Sequence, residues 1–263
     1  MSARIEDRGD RLVVVNANAA RRNALTPAYY DVLHDALARA AASPRVTSVI
    51  LTGEGGFFCA GGDLTALATR RDLPEAARRE RIEALHDLIR AIRACPVPVI
   101  AAVDGGAAGA GVSLAFACDL VVAAEDARFT IAYVKAGLTP DGGITWTLAR
   151  HLPPALLARL ALIGEPITAP RLDALGALSA LSAPGEALAA AHDLADRLAA
   201  GPGATQRAIK VLLHRAGAAT LDAQLDAERD AMARAQGSAE AAEGIGAFLD
   251  KRSPDFTRLR DEI

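Results

Sequence analysis

Phe57-Phe58-Cys59-Ala60-Gly61-Gly62-Asp63-Leu64 and Asp104-Gly105-Gly106-Ala107-Ala108-Gly109-Ala110-Gly111 are two glycine- and alanine-rich turns, each placed after a run of β-branched and aliphatic residues. Where a strand ends in residues with little or no side chain, the main chain itself can approach a ligand, and bare N–H groups become the chemistry. Two such donors converging on one oxygen make an oxyanion hole. A lone acid follows them in Pro140-Asp141-Gly142-Gly143. Taken singly, each feature has a plainer reading, because glycine turns also serve tight connections and a Pro-Asp-Gly-Gly run is an ordinary turn signal.

Outward from these turns, the first half of the chain alternates strand and helix patterns. Leu12–Val15, Val46–Thr52, Val97–Val103 and Leu120–Val122 read as strands of buried type. Thr26-Pro27 opens a helix, with a hydroxyl at the N-cap and proline in the first turn, and Leu33 and Leu37 recur on one face. A second helix covers roughly 74–94 and carries Ile82, Leu85, Ile89 and Ile92 at helical spacing. Strands separated by helices predict a parallel sheet with crossover connections. After about Trp146 the strands are expected to stop, leaving helical segments over 154–163, 170–177, 186–200, 204–215, 221–235 and 239–250. Gly201-Pro202-Gly203 reads as the linker between a mixed core, residues 1–200, and a helical C-terminal region, residues 201–263.

Composition narrows the function classes. Half the residues are hydrophobic (51%) and the formal charge is −3, which suits a globular chain with a sizeable core and gives no polyelectrolyte excess for nucleic acid. The uncharged stretch Gly105–Cys118, closed by Asp104 and Asp119, is shorter than the ~20 residues of a membrane span, so no membrane partner is expected. Cys59, Cys95 and Cys118 have no metal-ligand spacing and read as reduced, buried thiols of a cytoplasmic protein. The histidines at 34, 86, 151, 192 and 214 are scattered, so no metal site is expected, and they read as solvated helix residues.

In this order the motifs resemble the crotonase (enoyl-CoA hydratase and isomerase) superfamily nearly end to end. Arg22-Asn23-Ala24-Leu25 looks like its early adenine-contacting segment. Val49-Ile50-Leu51-Thr52-Gly53 with Phe58–Leu64, and Pro98–Gly105 with Ala107–Gly111, look like its two oxyanion-hole turns. Phe248-Leu249-Asp250-Lys251-Arg252-Ser253-Pro254-Asp255-Phe256 looks like its C-terminal signature. Gly137-Leu138-Thr139-Pro140-Asp141-Gly142-Gly143, Trp146 and the tail Leu221–Asp230 resemble in particular the ring-1,2-epoxyphenylacetyl-CoA isomerases of aerobic phenylacetate degradation. The resemblance implies an α/β spiral of ββα units with a C-terminal helical oligomerisation region, assembled as a homotrimer or a dimer of trimers. It implies an acyl-CoA thioester substrate and no cofactor beyond the coenzyme A of that substrate. It assigns the two oxyanion donors to the N–H groups of Gly62 and Ala110, the latter replacing a glycine common in the superfamily. Substrate or CoA contacts fall to Arg22, Ala24, Ala60, Gly61, Asp63, Leu64, Tyr133, Leu138 and Lys251, with Arg22 and a neighbouring subunit's Lys251 near the phosphates and Tyr133 in the pocket wall.

The resemblance also says which acid remains. Hydratases of this superfamily use two glutamates, and the matching positions here are Ser113 and Tyr133, so standard water addition is in doubt. Asp141 aligns with the acid of the isomerases and some dehalogenases. The expected reaction is a double-bond shift, or the opening of a ring epoxide, in a CoA thioester, with Asp141 moving the proton and two amides holding the enolate. Alternatives are an enoyl-CoA hydratase of fatty-acid or aromatic-acid degradation and a catalytically silent acyl-CoA-binding homologue. A dehalogenase wants more aromatic residues than the 4% present. A serine hydrolase reading of Gly111-Val112-Ser113-Leu114-Ala115 lacks the strand running directly into the glycine, and no third glycine completes a dinucleotide fingerprint after Gly109-Ala110-Gly111. Cys59, with no histidine close in sequence, reads as packed rather than nucleophilic.

Overall fold

The computed structural model describes residues 2–261. Strands β1 (Ala3–Asp7) and β2 (Arg11–Asn16) lead into α1 (Pro27–Ala42); β3 (Ser48–Gly53) is followed by α2 (Leu64–Arg70) and α3 (Glu75–Ala94). Next come β4 (Val99–Val103), β5 (Gly106–Ala108) and α4 (Ala110–Ala117), then β6 (Leu120–Ala124), β7 (Arg128–Thr130) and α5 (Ile144–Leu148). The remainder is α6 (Pro154–Ile163), β8 (Pro166–Thr168), α7 (Ala169–Asp173), β9 (Ala180–Ser182), α8 (Ala187–Ala199), α9 (Gly203–Ala216), α10 (Leu221–Gln236), α11 (Ala239–Leu249) and α12 (Arg258–Asp261).

Among the described residues six strands form one sheet in the order β1-β2-β3-β4-β6-β9, parallel from β2 onward, with β1 antiparallel at the edge. A smaller sheet has the order β5-β7-β8, with β5 and β7 parallel and β8 antiparallel at its edge. The period-2 alternation of buried strands divides the core between the two faces of the large sheet. Leu12, Val14, Val49, Leu51, Val99, Ala101 and Val103 face α1 and α3, while Val13, Val15, Ile50, Ile100, Ala102 and Val122 face α8. Helix α8 meets that second face with Ala187, Ala191 and Ala195, one small residue per turn, so its axis can lie close to the sheet. Helix α1 starts where expected: the Thr26 hydroxyl accepts a hydrogen bond from the Tyr29 N–H at 3.2 Å, and Leu33 and Leu37 are buried.

Some expectations need correction. Strands do not stop after Trp146: β8 and β9 follow, each of three residues, and β8 begins with a proline that suits only an edge position. Helix α7 ends at Asp173 rather than Ala177. Ile82 is exposed, although it shares helical spacing with the buried Leu85 and Ile92.

Helix α9 is tied to the core by a buried charge cluster. The Lys210 ammonium lies 2.6 Å from Asp119 Oδ2 and donates to the carbonyls of Ile92 and Val97, at the C-terminal end of α3 and beyond it. His214 Nε2 lies 3.0 Å from the other Asp119 oxygen, which corrects the reading of this histidine as a solvated helix residue. Burial alone would raise the Asp119 carboxyl; the His214 hydrogen bond and the Lys210 charge and hydrogen bond outweigh it and hold the group below its ordinary value. A depressed carboxylate stabilises the fold above its unfolded pKa and stops doing so as pH falls through the folded one. Lys210→Met should therefore lower the unfolding free energy at neutral pH by about 3–5 kcal/mol. In urea titrations the gap from the parent should shrink below about pH 4 as Asp119 protonates.

Candidate active site

The two glycine-rich turns are adjacent because the chain between the large sheet and its helices keeps pairing. Leu25 bridges Gly62, Cys59 bridges Ala107, and β5 continues into β7 and β8, so both turns join the second ladder. The Cys59 carbonyl accepts from the Ala108 N–H at 2.9 Å, and the Gly61 carbonyl accepts from the Leu25 N–H at 2.8 Å. The Ala60 N–H donates to the Arg22 carbonyl at 2.9 Å. Asn23, fully buried with φ of 56°, locks this segment: its side chain accepts from the Asn18 N–H and donates to the carbonyls of Glu54 and Phe57.

The turns touch at Gly61. A Cβ there would lie 2.6 Å from the Ala108 carbonyl oxygen and 2.8 Å from the Ala110 nitrogen, and φ is +82°. Gly111 lets α4 press on the first turn, since a side chain would overlap the Cys59 carbonyl. Ala110 needs no such relief: it is the first residue of α4 and is not among the residues of positive φ. Its N–H and that of Gly62 donate to no group among the described residues. Two unpaired amides, one of them at a buried helix N-terminus, can serve an oxygen that gains negative charge. Cys59 supports the turn from beneath: its Sγ accepts from the Gly61 N–H at 3.4 Å, and burial pushes the thiol up to about 12, so it is packed rather than nucleophilic.

One turn of α4 beyond Ala110, Ser113 reaches the acid. Its hydroxyl donates to the Asp141 carbonyl at 2.9 Å and lies 3.3 Å from the Tyr133 hydroxyl, which donates to Asp141 Oδ1 at 2.7 Å. A Cβ on Gly142 would sit 2.7 Å from the Ser113 Cβ, so the Pro140–Gly143 loop lies flat against the helix. Tyr133 is buried, and burial together with the Asp141 charge raises its phenol well above the ordinary value. The sequence reading put Tyr133 in the pocket wall and did not foresee that it holds Asp141. Ser113 is buried inside α4 and its hydroxyl is committed to the Asp141 carbonyl, which is not the exposed turn position a hydrolase nucleophile needs.

Other expected site residues fall into place more loosely. Ala24 is buried beside the first turn, and Leu64 is exposed on α2. Asp63 caps α2 through the Thr65 N–H at 2.9 Å and pairs with Arg21. Arg22 lies over the Phe57 ring, in a cavity of about 660 Å3 lined also by Glu54, Ala108 and Arg128. That cavity reaches the second turn at Ala108 but includes neither Ala110 nor Asp141. Leu138 is half exposed, and the Trp146 ring lies against the guanidinium groups of Arg150 at 3.4 Å and Arg93 at 4.9 Å. Lys251 is exposed at φ of 55° after α11, and no hydrogen bond or ion pair among the described residues links it to the turns. Its turn is clamped by Glu243, which bonds Arg252 and the Asp255 N–H and is lowered to about 2 by those two contacts.

The family model for enoyl-CoA hydratase/isomerase matches residues 10–259. The chain belongs to the enoyl-CoA hydratase/isomerase family. Among its relatives, a probable enoyl-CoA hydratase of Rhodobacter capsulatus is 40% identical over 94% of this chain and 92% of its own. The 1,2-epoxyphenylacetyl-CoA isomerase of Escherichia coli is 37% identical over 90% of this chain and 91% of its own. The 2,3-dehydroadipyl-CoA hydratase of the same organism is 35% identical over 97% and 99%. The crystal structure of an enoyl-CoA hydratase from Polaromonas sp. JS666 superposes with a TM-score of 0.92 at 45% identity, covering 96% of this chain and 98% of the other. The crotonase resemblance and the α/β spiral expected from it are thus both found. Membership in the enoyl-CoA hydratase/isomerase family makes this chain an enzyme of that group, acting on acyl-CoA thioesters, and its backbone turns give the membership a physical form.

The Gly61 contact is open to a direct test. Gly61→Ala should lower the unfolding free energy by more than the about 1–2 kcal/mol of a left-handed alanine, because main-chain atoms must also move. Gly185→Ala, at φ of +81° with open space around the added carbon, should show the conformational term alone in the same urea titration.

Proposed function

We propose that this family member is an acyl-CoA isomerase: it shifts a double bond, or opens a ring epoxide, in an enoyl- or phenylacetyl-type CoA thioester. The observation that carries the reading is the Ser113–Tyr133–Asp141 cluster. The two positions that match the hydratase glutamates hold hydroxyls, and both hydroxyls bond to the one residue that offers a carboxylate. Other carboxylates near the turns are engaged elsewhere: Asp63 with Arg21 and the α2 cap, Asp104 with the Ala187 N–H, and Glu54 with Arg4.

In this reading the thioester carbonyl oxygen lies between the Gly62 and Ala110 amides, which makes the neighbouring C–H acidic. Asp141 takes that proton; the C–H electron pair becomes the enolate, whose charge the amides hold. Returning the proton to a second carbon completes the shift. Removing one such donor elsewhere costs roughly 3 kcal/mol in the transition state, which sets the scale for each amide. The step is redox-neutral, so coenzyme A enters only as part of the substrate. Arg22, Ala24, Ala60, Gly61, Asp63, Leu64 and Leu138 are proposed to line the path of the thioester.

Asp141→Asn should retain acyl-CoA affinity by calorimetry and lose at least about 100-fold in conversion of 3-hexenoyl-CoA to its conjugated isomer. Unchanged turnover would remove Asp141 from the mechanism. Hydration of a 2-enoyl-CoA faster than this isomerisation would make the protein a hydratase, as several relatives are named. Absence of both reactions with retained binding would make it a silent acyl-CoA-binding homologue.

We also propose a cytoplasmic homotrimer or dimer of trimers. Support comes from three free buried thiols and from apolar side chains left uncovered on α9, α10 and α11: Leu213, Leu221, Leu225, Phe248 and Leu249. No helix of the described residues is long and apolar enough to cross a membrane. A neighbour covering that surface could bring its Lys251 to the bound CoA phosphates. Sedimentation velocity should give a mass of three or six chains; a monomer at micromolar concentration would overturn this assembly.

A further inference from the structure

The oxygens of Asp141 are not equivalent. Oδ1 accepts the Tyr133 hydroxyl at 2.7 Å, whereas Oδ2 has no hydrogen-bond partner among the described residues. The main chain of the same residue is fixed as well, because the Ser113 hydroxyl donates to its carbonyl and Gly142 rests on the Ser113 side chain. Tyr133 is buried and its phenol is raised far above the neutral range, first by burial and then by the Asp141 charge, so it is always a donor here. A donor on Oδ1 serves both states of the acid. It bonds the carboxylate, and it bonds the carbonyl-type oxygen once a proton has landed on the other atom.

We propose that Tyr133 is the positioning residue that assigns the two Asp141 oxygens separate tasks, Oδ1 as anchor and Oδ2 as proton carrier. This rests on the reading of Asp141 as the acid/base. Bond by bond, a substrate C–H breaks and an O–H forms on Oδ2 while the electron pair passes into the enolate. The O–H then breaks to form the new C–H, and the Tyr133 proton stays on its own oxygen throughout. With Oδ1 occupied, the carboxyl group cannot rotate to exchange its two oxygens without breaking the Tyr133 bond. A proton landed on Oδ2 therefore stays aimed at the acyl chain, which favours its return to the substrate over exchange with water. Ser113 contributes by holding the Asp141 carbonyl, so the positions that could have carried hydratase glutamates are turned into a mount for one aspartate.

The test is isomerisation of 3-hexenoyl-CoA in heavy water, reading kcat, KM and the deuterium content of the product by mass spectrometry for the parent, Tyr133→Phe, Ser113→Ala and Asp141→Asn. Tyr133→Phe should lose about 10- to 100-fold in kcat, keep KM within about threefold, and give a product richer in solvent deuterium than the parent's. Ser113→Ala should move label and kcat the same way by a smaller factor, and it carries the test alone if Tyr133→Phe does not fold. Full kcat and parental label content in Tyr133→Phe, with Asp141→Asn inactive, would overturn the role of Tyr133 and leave the acid in place. A loss in Tyr133→Phe confined to KM would overturn it too. An active Asp141→Asn would instead overturn the underlying reading.

Discussion

The contact at Gly61 is the constraint from which the rest of the site follows. Two turns far apart in sequence approach until a single added carbon would meet both a carbonyl oxygen and an amide nitrogen of the opposite turn. Only a residue without a side chain permits that approach at a positive φ. The small second sheet enforces it, because pairing from Leu25 through Gly62, Cys59 and Ala107 into β5 and β7 leaves the turns no other place to go. Two amides are left without protein partners, that of Gly62 open to solvent and that of Ala110 at a buried helix N-terminus, so both are available to a bound oxygen.

The acid is placed by a different device. Gly142 lies flat on Ser113, and this brings the Asp141 carbonyl onto the serine hydroxyl and its carboxylate onto Tyr133. None of the three side chains is positioned by its own loop alone. Helix α4 carries Ser113 at a fixed rise from Ala110, so acid and amides share one rigid reference. Under the proposed reading, the carboxylate stands on the loop beside α4, with Ser113 of the helix holding its main chain.

Much of the frame was legible in residues. The strands that became β2, β3, β4 and β6 are rich in valine and isoleucine and long enough to carry a pattern; Thr26-Pro27 announced its helix, and the glycine turns announced themselves. Strands β5, β7, β8 and β9 have three residues each, and Gly106-Ala107-Ala108 carries no strand preference. Their pairing comes from neighbours that tertiary structure delivers, not from local propensity. The cluster around Asp141 was half legible: the acid stood out, but its bond to Tyr133 depends on where a short helical turn over Ala132–Ala136 directs a phenol. The Lys210–Asp119 pair was illegible, since 91 positions separate partners whose only signal is proximity in space.

Main-chain amides have one consequence for how this protein tolerates change. Exchanging the side chain at Ala110 leaves its N–H where it was, so the lettering of that turn can drift while the electrostatic feature persists. Loss requires proline, a shifted register or a displaced helix, all of which damage the architecture as well. A pair of donors written into the polypeptide backbone is thus tied to the shape itself, and a change of side chain alone does not remove it.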